Sequence, residues 1–187
     1  MTLYKNSYRI ETARLRDWDY RSPGWYFITI CTNAHRCTSG EIDDGKIDLS
    51  AAGLIAEAEL VRMPTHHSNV CLDAYVIMPN HVHAIVILED HHQCIPGAMT
   101  RNDHEHGNAP FLARLPSLAD VIGSYKAGVT RRCRLSGDHY FAWQPRFYDH
   151  ILRGNASVAA VRDYIQNNPA NWTKDAENPA TISRIPG

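Results

Sequence analysis

No run of about 18 apolar residues occurs in the 187-residue chain, which excludes a helical membrane span. Cysteine is sparse and odd in number: Cys31, Cys37, Cys71, Cys94 and Cys133, with no C-x-x-C pair among them, fit reduced thiols better than a disulfide framework or a zinc ribbon. No internal repeat is visible, so a single core is expected rather than an array. The first residues, Met1-Thr2-Leu3-Tyr4-Lys5-Asn6, lack an apolar signal core, and a cytoplasmic location is expected. Net charge is nearly absent as well, at -1. What the chain does have is 44% hydrophobic against 21% charged residues, enough to bury a real core, and a length that suits one domain.

The near-zero total hides an uneven distribution. Residues 112–153 carry seven basic side chains against three acidic, whereas residues 41–105 carry three basic against eleven acidic. A basic later third can bind phosphates, and it can equally be an ordinary solvated helix face.

Trp25-Tyr26-Phe27-Ile28-Thr29-Ile30-Cys31-Thr32, just after Pro23-Gly24, is dense in aromatic and β-branched residues and reads as a first strand. Gly40 to Asp48 reads as a turn or small hairpin. Ser50 is an N-cap for a helix in which Ala51, Leu54, Ile55, Ala58 and Val61 recur until Pro64. Two apolar runs, 70–78 and 82–88, flank Pro79-Asn80-His81 and predict two strands with a tight connection. Residues 89–116 are rich in His, Asn, Asp, Gly and Pro and read as a long mobile insertion. Ser117 caps a basic helix with Leu118, Val121, Ile122, Tyr125 and Val129 on one face; Phe141 to Leu152 reads as a fourth strand, and Ser157 to Asn168 as a last helix ended by Pro169. The order strand, helix, strand, strand, helix, strand, helix predicts an α+β chain. Its expected form is a ferredoxin-like antiparallel sheet with helices mainly on one face and a C-terminal helix carrying Tyr164.

His81-Val82-His83 opens the third strand, where residues two apart project from the same side of the sheet, so two imidazoles face one point as a metal dyad can. In a chain with eleven histidines the triplet alone is weak, and His66-His67, His91-His92 and His104-Glu105-His106 compete with it from expected turns and loops. In the last helix Tyr164 and Asn168 stand four apart and share a face. A phenol is a poor nucleophile at neutral pH and needs an electrophile sharpened by a cation; an Asn168 amide oxygen completing the shell begun by His81 and His83 would put that cation beside it. The plainer alternative packs Tyr164 on the sheet and uses Asn168 as a helix end.

Three blocks occur in one order: Tyr75-Val76-Ile77-Met78-Pro79-Asn80-His81-Val82-His83, Trp143-Gln144-Pro145-Arg146-Phe147-Tyr148-Asp149-His150-Ile151-Leu152-Arg153, and Asp163-Tyr164-Ile165-Gln166-Asn167-Asn168-Pro169. Together they closely resemble the REP-associated tyrosine transposases, relatives of the IS200-like single-tyrosine transposases within the HUH nucleases. The likeness runs from about residue 8 to 175, within one domain of 1–187. It implies a ferredoxin-like fold in which His81 and His83 bind Mg2+ or Mn2+, Tyr164 is the nucleophile and Asn168 is associated with the metal. It also implies cleavage of single-stranded DNA, often beside a hairpin, with the 5′-phosphate left on tyrosine and a free 3′-OH, at a nucleoid-associated location. Lys126, Arg131, Arg132, Arg146 and Arg153 are the candidates for phosphate contacts. Tyr148 and His150 are read as packing or backbone-contact residues. The family includes monomers and homodimers with sites completed in trans, so the chain that supplies Tyr164 to the histidines is left open. Two rivals stand beside this reading: a non-catalytic DNA-binding protein derived from such an enzyme, and a zinc hydrolase using histidines with Cys71 or Cys133.

Overall fold

The computed structural model describes residues 18–90 and 115–182, together with a short ladder of β1 (Leu3–Tyr4) and β2 (Ser7–Tyr8). The expected mobile insertion falls mostly on residues 91–114 and there lies outside the described residues, as do His91-His92 and His104-Glu105-His106.

β3 (Gly24–Cys31) leads through a 3-10 turn, Asn33–His35, into the hairpin of β4 (Gly40–Asp43) and β5 (Lys46–Leu49). Gly45, at φ 69°, makes the tight reversal of that hairpin possible. Ser50 Oγ accepts from Gly53 N at 3.1 Å and starts α1 (Ala51–Val61). Pro64 does not simply end the helical region: it lies in the first turn of a short α2 (Met63–His66), where its missing N–H costs nothing. β6 (Val70–Ile77) and β7 (His81–Leu88) follow, then α3 (Leu118–Leu135), opened by a capping box between Ser117 and Asp120. The fourth strand is shorter than expected. β8 covers only Tyr148–Leu152, because the Lys126 ammonium gathers the carbonyls of Gln144 and Pro145 into an irregular turn and only Trp143 bridges to Thr32. α4 (Asn155–Asn167) is followed by a 3-10 segment, Pro169–Lys174, and a short α5 (Pro179–Ile182).

The sheet order is β6-β7-β3-β8 with every neighbouring pair antiparallel. That is the ferredoxin-like order expected from the sequence. Alternation along β7 sorts its residues: Val82, Ala84, Val86 and Leu88 enter the main core with Tyr26, Ile28 and Ile30 of β3, against α1 and α3. Ile85 faces the other way, into a smaller cluster with Leu152, Val158 and Ile165, and so brings α4 onto the opposite face. A bidentate ion pair, Arg162 to Asp73 at 2.7 Å on both oxygens, fixes α4 to β6. No helix among the described residues is long and apolar enough to cross a membrane.

Candidate active site

His81 and His83 share the α4 face of β7, buried at 0% and 3% exposure, with ring centroids 4.4 Å apart. Two hydrogen bonds set their orientation. His81 Nδ1 meets Asn80 Oδ1 at 2.8 Å, and His83 Nδ1 meets Thr29 Oγ1 at 2.9 Å. Donation from both Nδ1 atoms leaves both Nε2 lone pairs pointing inward, which is how metal-ligating histidines are oriented by their second partners. Asn80, itself fully buried, is held by donating Nδ2 to the carbonyls of His35 (3.2 Å) and Glu177 (2.7 Å), while its own carbonyl accepts from Thr32 N at 2.8 Å. The Pro79-Asn80 connection therefore serves the strand register and the imidazole at once.

α4 supplies the phenol. Val158, Val161 and Ile165 pack toward the sheet, and the same helix sets Tyr164 and Asn168 at its C-terminal end over β7. Tyr164 Oη lies 3.2 Å from His83 Nε2 and 3.4 Å from Asp175 Oδ2, all in one chain. Asn168 Nδ2 donates to the same Asp175 oxygen at 2.7 Å, and Asp175 Oδ1 accepts from Glu177 N at 2.7 Å. Two buried polar atoms are left over: His81 Nε2 and Asn168 Oδ1 have no hydrogen-bond partner of acceptable geometry among the described residues, although the Asn168 amide is close enough to favour a proton on His81. Buried orphans of this kind are costly without a ligand, and an imidazole nitrogen beside an amide oxygen is a donor set that suits a divalent cation. His81, His83 and Asp175 each bring a ligand atom within 4.8 Å of the others.

The electrostatics agree with neutral ligands. Burial, then the neighbouring His35, takes His81 down to about 3, and burial, then His81, does the same to His83. Burial and then the Asp175 carboxylate push the Tyr164 hydroxyl up to about 12, so the phenol keeps its proton.

Sequence reasoning missed Asp175, Thr29 and Asn80. Asp175 follows Asn168 by seven residues across a 3-10 segment that no periodicity marks, and Thr29 reaches His83 only through the β3–β7 register. Other expected residues are scattered. Lys126 is engaged with backbone carbonyls, Arg132 pairs with buried Glu59 at 2.8 Å, and Arg153 lies over the Trp18 ring at 5.8 Å. Arg131 lines a groove of 710 Å³ with Lys126, Thr130, Arg134, His139 and Gln144, and Arg146 is exposed. Tyr148 and His150 are exposed on β8 rather than packed, and Tyr148 stands opposite Thr29. The cysteine expectations need correction. Cys71 is disulfide-bonded, a pairing that sequence spacing cannot reveal, while Cys31, Cys37 and Cys133 are free. Cys133 sits in the core on the α1 and α3 side, across the sheet from the histidines, so neither Cys71 nor Cys133 is available as a zinc ligand beside them.

No protein-family model matches the chain. An uncharacterized protein of Haemophilus influenzae is 33% identical over 166 residues, spanning 88% of this chain and 90% of that protein, and the two belong to one family. Among solved structures, a REP-associated tyrosine transposase bound to a REP hairpin matches with a TM-score of 0.51 at 17% identity, covering 86% of this chain and 74% of that one. A candidate transposase of Deinococcus radiodurans matches more loosely, with a TM-score of 0.45 at 15% identity over 83% of this chain and 97% of that one. The resemblance seen in the sequence is thus met by the fold: this chain has the fold of the REP-associated tyrosine transposases.

Proposed function

We propose that a chain with this fold performs the corresponding chemistry: metal-dependent cleavage and transfer of single-stranded DNA beside a hairpin, through a 5′-phosphotyrosine on Tyr164. The observation that carries the reading is the phenol 3.2 Å from His83 Nε2 and 3.4 Å from Asp175 Oδ2, next to the unpartnered His81 Nε2 and Asn168 Oδ1. His81, His83 and Asn168 would hold the cation, with Asp175 as the compensating carboxylate; when bound, Mg2+ or Mn2+ supplies positive charge for the phosphate oxygens and favours phenol ionisation. The imidazole pair suits Mn2+ somewhat better than Mg2+.

Tyr164 Oη attacks phosphorus while its proton passes to Asp175 Oδ2. The Oη–P bond forms as the bond to the 3′-oxygen breaks, and that oxygen leaves as a hydroxyl with a proton from water, which is made good when Asp175 returns the phenol proton to solvent. The phosphotyrosine ester retains the energy of the cut linkage, so a later 3′-OH can attack it, reseal the strand and return the phenol without ATP. Asn168 and Arg162 position the phenol: one through Asp175, the other by fixing α4 to β6. Arg131, with Arg134 and His139 in the groove beside α3, supports phosphate binding, and Arg146 and Arg153 are further contacts. Lys126 and Arg132 act mainly through the protein framework. Such a protein works on DNA in the cytoplasm, at the nucleoid.

The test is a labelled single-stranded hairpin oligonucleotide incubated with Mn2+ and resolved under denaturing conditions. A covalent adduct is expected with the native chain and none with Tyr164→Phe. An adduct that survives Tyr164→Phe refutes the nucleophile. Tight hairpin binding without cleavage under any divalent ion decides for the non-catalytic alternative.

A further inference from the structure

A second cluster of metal-ligating side chains lies beside the first and takes no part in the proposed cleavage. Cys31 ends β3, directly opposite His81 in the β3–β7 register, and its thiol is buried. Its Sγ is 3.4 Å from Glu177 Oε2, and His35 Nδ1 is 3.3 Å from the same oxygen. All three ligand atoms lie within 4.8 Å of one another. A tetrahedral zinc ion with Zn–S of about 2.3 Å and Zn–N and Zn–O of about 2.0–2.1 Å requires S···O and N···O separations of about 3.5 and 3.3 Å. The two edges that meet at Glu177 Oε2 are therefore already those of a coordination tetrahedron, and the third, Sγ to Nδ1, is within 4.8 Å.

The state of His35 points the same way. Its Nδ1 is buried and makes no hydrogen bond of acceptable geometry among the described residues, despite the nearby carboxylate. Its Nε2 is engaged by the Gln144 side-chain amide at 2.8 Å. Amide oxygen and nitrogen exchange places on a half rotation; with Oε1 toward the ring, Gln144 accepts from Nε2–H and the Nδ1 lone pair is left for an ion. The backbone holds His35 in the left-handed region, at φ 51°, after Ala34 at φ 53°.

We propose that Cys31, His35 and Glu177 form a second cation site, for a thiophilic divalent ion such as Zn2+, distinct from the histidine pair. Thiolate, imidazole and carboxylate fill three positions and solvent the fourth; on uptake the Cys31 thiol proton leaves to solvent as the S–metal bond forms. The ion ties Glu177 to β3. Glu177 is two residues beyond Asp175, so the tie fixes the segment that carries the carboxylate to Tyr164. This assignment does not depend on the cleavage reaction.

Cobalt titration of the full-length protein, without reductant, tests it. The native chain is expected to take up Co2+ with a near-ultraviolet thiolate-to-cobalt charge-transfer band. Cys31→Ser should abolish the band, and Glu177→Gln should weaken Co2+ binding at this site by about 10-fold or more. Cys37→Ser, Cys71→Ser, Cys133→Ser and His81→Ala should keep it, and Zn2+ should displace it. No band in the native chain, or one that persists in Cys31→Ser, overturns the site. Because Cys31→Ser can disturb packing, Glu177→Gln is also read by melting: Zn2+ should raise the native Tm, and this increment should be smaller in Glu177→Gln, whereas an equal increment in both contradicts the tie. Cleavage of DNA is read separately and stands or falls by Tyr164.

Discussion

The two faces of one strand, β7, have been given different tasks. On the α1 and α3 side Val82, Ala84 and Val86 are sealed among aliphatic and aromatic side chains, each large one contributing about 1.5–3 kcal/mol by burial. On the α4 side the same strand begins with two buried imidazoles and turns apolar only at Ile85. Both faces are dry. They differ in what β7 itself contributes: its residues facing α1 and α3 are apolar and closed by packing, whereas those facing α4 bring His81 Nε2 beside Asn168 Oδ1, both without partners among the described residues. Trp143 Nε1 is also unpartnered in the main core, so neither burial nor a lone unpaired atom marks the candidate face; ligand atoms gathered at one point do.

Substitutions at adjacent residues should separate the two tasks. The largest effect is expected from Val82→Asp, which places an unpaired carboxylate in the apolar core: a loss of about 4 kcal/mol or more in urea denaturation, with the fold and the cleavage activity failing together. One residue on, His83→Ala should leave stability within about 2 kcal/mol of native while lowering strand cleavage by about 10³-fold. Equal losses of stability at the two positions would collapse the distinction between the faces. The smallest effect belongs to the groove on the α3 side, away from the chemistry. Arg131→Ala should weaken single-stranded DNA binding roughly uniformly across sequences and reduce the salt slope by about one, with the rate of chemistry at saturating DNA unchanged.

Periodicity carried the sequence reading as far as local patterns reach. The alternation of 81–88, the Ser50 and Ser117 caps and the helix-sharing of Tyr164 and Asn168 are one-dimensional signals, and each reappears in the fold. Asp175, Thr29 and Asn80 enter the site through strand register and a chain reversal, which have no local signature. The same holds for the second cluster, where Cys31 and Glu177 are 146 residues apart. The overlong fourth strand has a different cause: apolar and aromatic content over 141–147 comes from Phe141 and Trp143 packing in the core from an irregular segment, not from pairing. Side-chain charge in the sequence also says nothing of the partners inside the fold: Lys126 is engaged by backbone carbonyls and Arg132 by Glu59.

The most direct test of the α4 face is to locate the covalent bond. After incubation of the native chain with a single-stranded hairpin and Mn2+, nuclease trimming and trypsin digestion should place a residual 5′-phosphonucleotide on the peptide 163–174, at Tyr164, and chelation of the metal before mixing should remove it. A nucleotide mass on another residue, the exposed Tyr148 above all, or an adduct formed equally well under chelation, would contradict the account.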